Sequence, residues 1–375
     1  MSARFLTVVL ERAFNMRDGF GREIDYMRIS VIDSCNLNCY YCNPQDNNKN
    51  CQVINTLSVK KVLCIVRAAT RLGIKHFRLT GGEPLLHPQL DEMVLQIKKI
   101  SGVSSVSLTT NAVLLAQHAK WLKEAGIDSI NVSLDTIDAS EYERITKKPL
   151  LEEVKHGINA AIECGIRVKI NVVLTPQTDV VALTRYVAKK GTDIRFIEMM
   201  PVGEGHTNGV EPYKKVIGTL SKLYGEPCRI NTEKTKEINS GNDKRKIPDN
   251  GPAEYYIFPE LGIRVGLIQA IHGKFCDTCN RIRVTADGRL MPCLGSSVTM
   301  DLVPDSWDFA DDVEKDFAIV RALRAAIKAK PGCHNFNDNA VTYTKTTETK
   351  TVETKATELK AAEVNAARNM SRIGG

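Results

Sequence analysis

The sequence contains no apolar run near the roughly 20 residues a membrane helix needs, so no membrane partner is expected. It also lacks a basic stripe. The formal net charge is +7 over 375 residues, and Lys and Arg recur singly at the ends of apolar runs. That balance argues against a DNA binder and suits a site for anionic substrates. Near the start, the apolar stretch from Phe5 to Leu10 is too short for a secretory core, and Glu11 opposes an organelle transit peptide. A cytoplasmic, reducing location is therefore expected.

Hydrophobic residues make up 43% and charged residues 25% of the chain, enough apolar material for a large core. Eleven cysteines in a reducing compartment are read for metals before disulfides. Six fall in two tight groups, at 35, 39 and 42 and at 276, 279 and 293. Cys64 and Cys164 lie in apolar helical patterns and read as small core residues. Cys51 and Cys333 sit in polar surroundings and read as ordinary free thiols, with Cys228 equally scattered.

Along the chain, β-branched runs at 27–32, 76–80, 103–109, 129–134, 168–174 and 194–198 read as strands. Helical patterns at 58–72, 88–100, 113–125, 151–164 and 178–190 separate them, with Ser58 as an N-cap and Gly73, Gly126 and Gly165 at helix ends. This alternation implies a parallel sheet with right-handed crossovers. Cys35, the Gly81-Gly82-Glu83 run, Asn111, Ser133 and Glu198 all fall at or just past strand C-termini. A barrel gathers those ends around one mouth, so an incomplete (β/α)6 TIM-like barrel of the α/β class is expected over 18–230.

A C-terminal segment, 231–341, follows. Its start (231–251) is polar and reads as a loop; strands are expected at 254–258, 263–267 and 281–285, and a helix at 308–329. Asp287-Gly288 is a hairpin signal that folds Cys293 back beside Cys276 and Cys279. Residues 345–364 form four pentads with Lys first and Glu fourth, and 342–368 reads as a low-complexity linker delivering a tail at 369–375.

Three thiolates in Cys35-Asn-Leu-Asn-Cys39-Tyr-Tyr-Cys42 can wrap one face of a [4Fe-4S] cube and leave one iron open. The amine and carboxylate of S-adenosylmethionine suit that iron, and an electron from the cluster can break the sulfonium bond. A simple zinc site would more often show paired C-x-x-C motifs. Gly81-Gly82-Glu83-Pro84, one βα unit later, lets backbone approach a ligand closely, and Glu83 can accept hydrogen bonds from its ammonium group. Cys276, Cys279 and Cys293 fit either a second cluster or a zinc site completed by His272. Arg281 and Arg283 share one strand face beside them, which suggests an anionic substrate.

These motifs resemble the MoaA family of GTP 3',8-cyclases, which begin molybdenum cofactor biosynthesis. The match runs through Gly21-Arg22, residues 26–31, 35–44, 78–86, 108–111, 131–136, 169–171, 195–198 and 275–294, and the Gly-Gly terminus. The resemblance implies two [4Fe-4S] clusters, on Cys35, Cys39 and Cys42 and on Cys276, Cys279 and Cys293. It further implies that Tyr41, Gly82, Glu83, Ser133 and Met200 bind S-adenosylmethionine. Arg28, Arg78, Thr109, Lys169, Arg195, Arg281, Ile282 and Arg283 would bind GTP, and Gly374 and Gly375 would enter the active site and assist the reaction. Implied partners are a flavodoxin or ferredoxin as electron donor, cyclic pyranopterin monophosphate synthase downstream, and a second copy in a homodimer.

Three residues depart from the family pattern. His87 replaces Arg and should weaken a phosphate contact, Ala112 replaces Gly in a turn, and Ser34 replaces Arg before the first cysteine. Two other readings compete: a radical peptide maturase with an auxiliary cluster, and a zinc-stabilised nucleotide-binding protein without redox chemistry.

Overall fold

The computed structural model describes residues 16–42, 54–202, 210–230, 251–296, 299–302, 312–334 and 336. The pentad linker, Gly374, Gly375, Cys51 and most of the 231–251 stretch lie outside them. The strands are β1 (Tyr26–Ser30), β2 (His76–Thr80), β3 (Ser105–Thr110), β4 (Ser129–Ser133), β5 (Val168–Val173) and β6 (Asp193–Ile197), then β7 (Cys228–Ile230), β8 (Glu254–Ile257), β9 (Arg264–Ile268), β10 (Arg281–Val284), β11 (Arg289–Met291) and β12 (Met300–Asp301). The helices are α1 (Val59–Arg71), α2 (Leu90–Lys98), α3 (Leu115–Glu124), α4 (Ala139–Thr146), α5 (Leu151–Glu163), α6 (Val180–Lys189), α7 (Gly218–Tyr224) and α8 (Asp312–Lys328).

The period-2 alternation of the first six strands sets the architecture. Met27, Ile29, Phe77, Leu79, Val106, Leu108, Ile130, Val132, Ile170, Val172, Ile194 and Phe196 are each at most 1% exposed. They point to the face the helices cover. α1 answers with Val62, Ile65, Val66 and Ala69, spaced for one helical stripe, and Ser58 Oγ caps its N-terminus by accepting from Lys61 N. Gly73, Gly126 and Gly165 take φ of 86°, 89° and 68°, where helices stop as expected.

β1 to β6 pair in sequence order, all parallel. Both outer edges are then covered by the C-terminal segment: β10 pairs parallel to β1 and β9 parallel to β6. The full order is β12-β11-β10-β1-β2-β3-β4-β5-β6-β9-β8-β7, and no described strand joins its two ends. The barrel is incomplete, as expected, and both segments of the chain contribute to one sheet. α8 lies against α1, with Arg71 paired to Asp316 at 2.9 Å.

Several elements were not expected. α4 is too short and too charged (Glu141, Glu143, Arg144) to show a clear period, and it buries only Tyr142, Ile145 and Thr146. α7, β7, β11 and β12 are likewise short. Two departures from the family pattern resolve differently. Ala112 does take the left-handed conformation, φ 65°, that its turn demands of glycine. His87, by contrast, is buried and structural: Nε2 bonds the Leu57 carbonyl at 3.0 Å and Nδ1 accepts from Gln89 N at 3.1 Å. Both its nitrogens are committed inside the fold, so neither is free to meet a phosphate.

Candidate active site

The face of the sheet opposite the helices is polar. In register across β10, β1, β2 and β3 stand Arg283, Arg28, Arg78 and Ser107. One step further along stand Thr109, Asn131, Lys169 and Asp193, and Asn171 pairs with Arg195. Strand sheets buried between helix layers are normally apolar on both faces. Here one face carries six cations: Arg28, Arg78, Lys169, Arg195, Arg281 and Arg283. Gly266, paired with Arg195, leaves the space that side chain occupies; a Cβ there would stand 2.8 Å from Arg195 Cγ.

Protein groups engage several of these cations. Arg78 Nε donates to Ser107 Oγ at 3.1 Å and Arg195 Nε to Asn171 Oδ1 at 2.9 Å, while Lys169 lies over the Tyr255 ring. Arg28 Nε, Thr109 Oγ1 and both amide atoms of Asn131 are buried without a partner. Burial, then Arg283 and Arg78, hold Arg28 well below the usual guanidinium range, and burial with Arg281 brings Arg283 down to about 10. Tyr26 is lowered as well: burial would raise it, but Arg78, Arg28 and Arg195 outweigh that. That direction marks the net positive field of this face.

The first cysteine loop follows β1. α4 holds it from one side, its last carbonyls at Thr146 and Ile145 accepting from Asn38 N (3.0 Å) and Tyr40 N (3.1 Å). Gly81-Gly82 holds it from the other. Gly82 N donates to Ile32 O at 2.7 Å and Glu83 N to Ser34 O at 2.8 Å. A Cβ on Gly82 would fall 2.2 Å from Ser34 O. These glycines permit a close approach to the stretch of chain that delivers Cys35.

Glu83 is 1% exposed and accepts from Leu85 N (3.0 Å), Thr110 Oγ1 (2.7 Å) and Asn111 N (2.7 Å). Burial outweighs those bonds and pushes its carboxyl up to about 7. Asn111 in turn reaches Asn36 Oδ1 at 2.7 Å. Tyr41 donates to Asp135 Oδ2, whose other oxygen accepts from Val173 N at 2.8 Å. Burial pushes Cys35 up to about 12 and Cys42 up to about 11, with carboxylates nearby adding to it. Such a loop holds neutral thiols until a metal charge stabilises the thiolates.

The second group lies at the opposite end of the sheet. Cys276 and Cys279 precede β10, and the Asp287-Gly288 hairpin returns the chain antiparallel, Arg283 opposite Met291, so that Cys293 arrives beside them as expected. Parallel pairing of β10 with β1 puts this group at the N-terminal end of β1 and Cys35 past its C-terminal end. Five strand residues separate the two ends, a span of about 17 Å at 3.3 Å each. Arg28 lies between them. Burial would raise Cys279, but Arg281 and Lys330 bring it down to about 7.

In neither trio do the three sulfurs lie within 4.8 Å of one another. Thiolates sharing one zinc would stand about 3.8 Å apart at Zn–S of 2.3 Å. Three thiolates in each trio can bind three irons of a cube and leave the fourth open.

Residues 29–182 match the Radical SAM superfamily and residues 192–336 match Molybdenum Cofactor Synthesis C. A GTP 3',8-cyclase of Pelotomaculum thermopropionicum is 36% identical over 327 residues, covering 85% of this chain and 95% of that protein. The chain belongs to the GTP 3',8-cyclase family. A second member, from Clostridium perfringens, is 34% identical over 324 residues, covering 86% of this chain and 95% of that one. Among solved structures, Streptococcus suis SuiB bound to S-adenosylmethionine superposes with a TM-score of 0.54 at 15% identity, over 86% of this chain and 72% of that one. That likeness is one of fold.

For a GTP 3',8-cyclase family member, the structure distributes the expected residues unevenly. Arg28, Arg78, Thr109, Lys169, Arg195, Arg281 and Arg283 share the polar face. Ile282 does not: strand alternation turns it to the helix side, 1% exposed, opposite Met27. Ser133 ends β4 exposed, Met200 follows β6 half-buried, and Gly374 and Gly375 lie outside the described residues. His272 is held by Glu198: its Nδ1 bonds that carboxylate, which also accepts from Ile271 N at 2.7 Å. Sequence reasoning missed Asp135, Arg22 and Lys330. Arg22 pairs with Asp18 at 2.6 Å and donates to the Cys276 carbonyl at 2.7 Å, and Lys330 donates to the Arg281 and Pro292 carbonyls, both at 2.9 Å. Both sit far from the trio in sequence, and only the fold brings them to it.

Proposed function

We infer that the protein is a radical S-adenosylmethionine enzyme that converts GTP to (8S)-3',8-cyclo-7,8-dihydroguanosine 5'-triphosphate, the first step of molybdenum cofactor biosynthesis. The observation that carries this is the Arg283–Arg28–Arg78 row, in register on three strands, with Arg28 Nε buried and unpartnered. Adjacent buried like charges oppose folding unless an anion joins them. A triphosphate with roughly four negative charges answers six convergent cations. Thr109 Oγ1 and the Asn131 amide offer both hydrogen-bond polarities to the uncharged part of a nucleoside.

Cys35, Cys39 and Cys42 would hold one [4Fe-4S] cluster and Cys276, Cys279 and Cys293 the other. When bound, these supply the electron that opens S-adenosylmethionine and a second iron centre for the substrate. The chain's part is to position. Tyr41, locked by Asp135, and Asn111, locked onto Asn36, fix the walls beside the first trio. Gly82, Ser133 and Met200 lie around the same strand ends and would complete the S-adenosylmethionine pocket. Glu83 would serve mainly by tying β2 to β3, since three of its acceptor positions are already used. The polar face would hold the triphosphate and exclude water, so that the ribose and base meet the reactive end in one orientation. Gly374 and Gly375 would enter this space from the linker. A flavodoxin or ferredoxin would supply electrons, cyclic pyranopterin monophosphate synthase would take the product, and the chain would act as a homodimer.

The test is anaerobic incubation of reconstituted protein with reductant, S-adenosylmethionine and GTP. It should yield 5'-deoxyadenosine and a cyclised GTP product together. Deoxyadenosine without consumption of GTP would point instead to a peptide substrate, and colourless protein with stoichiometric zinc would exclude radical chemistry.

A further inference from the structure

A second set of metal-binding side chains overlaps the auxiliary trio. The sulfurs of Cys276 and Cys333 and a ring nitrogen of His334 lie within 4.8 Å of one another, the only such group among the described residues. That spacing suits one ion. Two sulfurs on a tetrahedral zinc stand about 3.8 Å apart, whereas thiolates on different irons of a cube stand farther apart.

The histidine is prepared for ligation. It is 7% exposed, and its Nε2 meets the Ala270 carbonyl at 2.8 Å. A carbonyl only accepts, so Nε2 carries the proton and Nδ1 carries the lone pair. That Nδ1 is buried with no partner. A backbone carbonyl orienting one ring nitrogen while the other is left bare is the arrangement metal-bound histidines adopt.

The segment is also pinned. Arg22 donates to the carbonyls of Pro331 (2.6 Å) and Gly332 (3.0 Å) as well as to that of Cys276, so one guanidinium holds both halves of the group together. Lys330, 3% exposed, fastens the same stretch to β10. Cys333 itself is exposed, which gives a metal a way in and water a fourth position.

We propose that Cys276, Cys333 and His334 form a mononuclear site for a thiophilic divalent cation, zinc above all, that competes with the auxiliary cluster for Cys276. Binding releases the two thiol protons, leaves the imidazole neutral and changes no oxidation state. A zinc-loaded chain carries one cluster in place of two.

The experiment uses the full-length, iron-free chain with the first trio removed (Cys35→Ser, Cys39→Ser, Cys42→Ser), titrated anaerobically with Co²⁺ and then competed with Zn²⁺. One equivalent should bind, with tetrahedral d–d bands and thiolate charge-transfer absorption. Cys333→Ser and His334→Ala should each weaken binding at least tenfold, while Cys279→Ser and Cys293→Ser leave it unchanged. No binding, or binding that needs Cys279 and Cys293 but tolerates Cys333→Ser, overturns the proposal. Because Cys333 is exposed, its serine variant should keep the wild-type far-UV circular dichroism. With the first trio intact, one equivalent of zinc before reconstitution should cut iron from about eight to about four per chain, and Cys333→Ser should restore it. Full iron loading of the zinc-treated wild type overturns the competition.

Discussion

Gly82→Ala should remove the first cluster and spare the second. The added Cβ would stand 2.2 Å from Ser34 O, 2.5 Å from Ser34 C and 2.6 Å from Asp33 O, all main-chain atoms that no rotamer change can clear. Ordinary contact begins near 3.4 Å, so the end of β2 and the strand feeding Cys35 must separate by more than 1 Å. That movement breaks Gly82 N to Ile32 O and Glu83 N to Ser34 O, each worth about 1 kcal/mol net and more if left unpaired. Forced overpacking adds about 1–3 kcal/mol, so the whole change costs about 3–5 kcal/mol. Urea denaturation of the iron-free protein measures that loss, and iron analysis after reconstitution should fall from about eight to about four per chain. Gly218→Ala, in α7 with nothing within 4 Å, is the control and should be neutral or slightly stabilising. A Gly82→Ala protein with the wild-type midpoint and both clusters loaded would refute the steric argument.

Other outcomes follow from the same geometry. Arg28→Met should weaken GTP binding by roughly 10–150-fold, the equivalent of 1.5–3 kcal/mol for a charged hydrogen bond, without lowering apo-protein stability; calorimetric titration and denaturation check the two halves, and undiminished affinity counts against the cation row. Glu83, raised from 4.5 to about 7 in the folded chain, binds its proton more tightly there, so its contribution is complete below pH 4.5 and is lost as pH rises through about 7. The loss is about 3 kcal/mol at 1.36 kcal/mol per unit; Glu83→Gln should flatten this part of the apo-protein profile between about pH 4.5 and 7, and an unchanged profile would contradict the assignment. Lys330→Met should cost about 3 kcal/mol by leaving the Arg281 and Pro292 carbonyls unpaired; the variant should lose iron from the second centre first, measurable as a change in the cluster spectra on dilution.

Much of this is legible in the sequence. The six parallel strands showed because each alternates apolar and polar residues over most of its length, and both cysteine trios showed by spacing alone. The same alternation places the Ile282 side chain on the helix face, since Arg281 and Arg283 sharing a face turns the residue between them away. α4 escaped because two turns with three buried residues give no usable period, yet its last carbonyls hold the first cysteine loop. The surroundings of Cys333 and His272 were not legible, because the contacts each makes are non-local. Glu198 claims His272 from 74 residues away. Arg22 brings residues 331–332 to Cys276 across more than three hundred residues of chain.

The placement of β9 and β10 bears on how such a chain is made. The first strand to leave the ribosome gains its second neighbour only when residues 281–284 emerge, and β6 waits likewise for 264–268. Until then two long strand edges stand open, ready templates for pairing with another nascent chain. A fragment ending near residue 230 would keep both edges permanently, and should aggregate instead of behaving as an autonomous unit. The two stretches that match separate family models, 29–182 and 192–336, thus build one sheet.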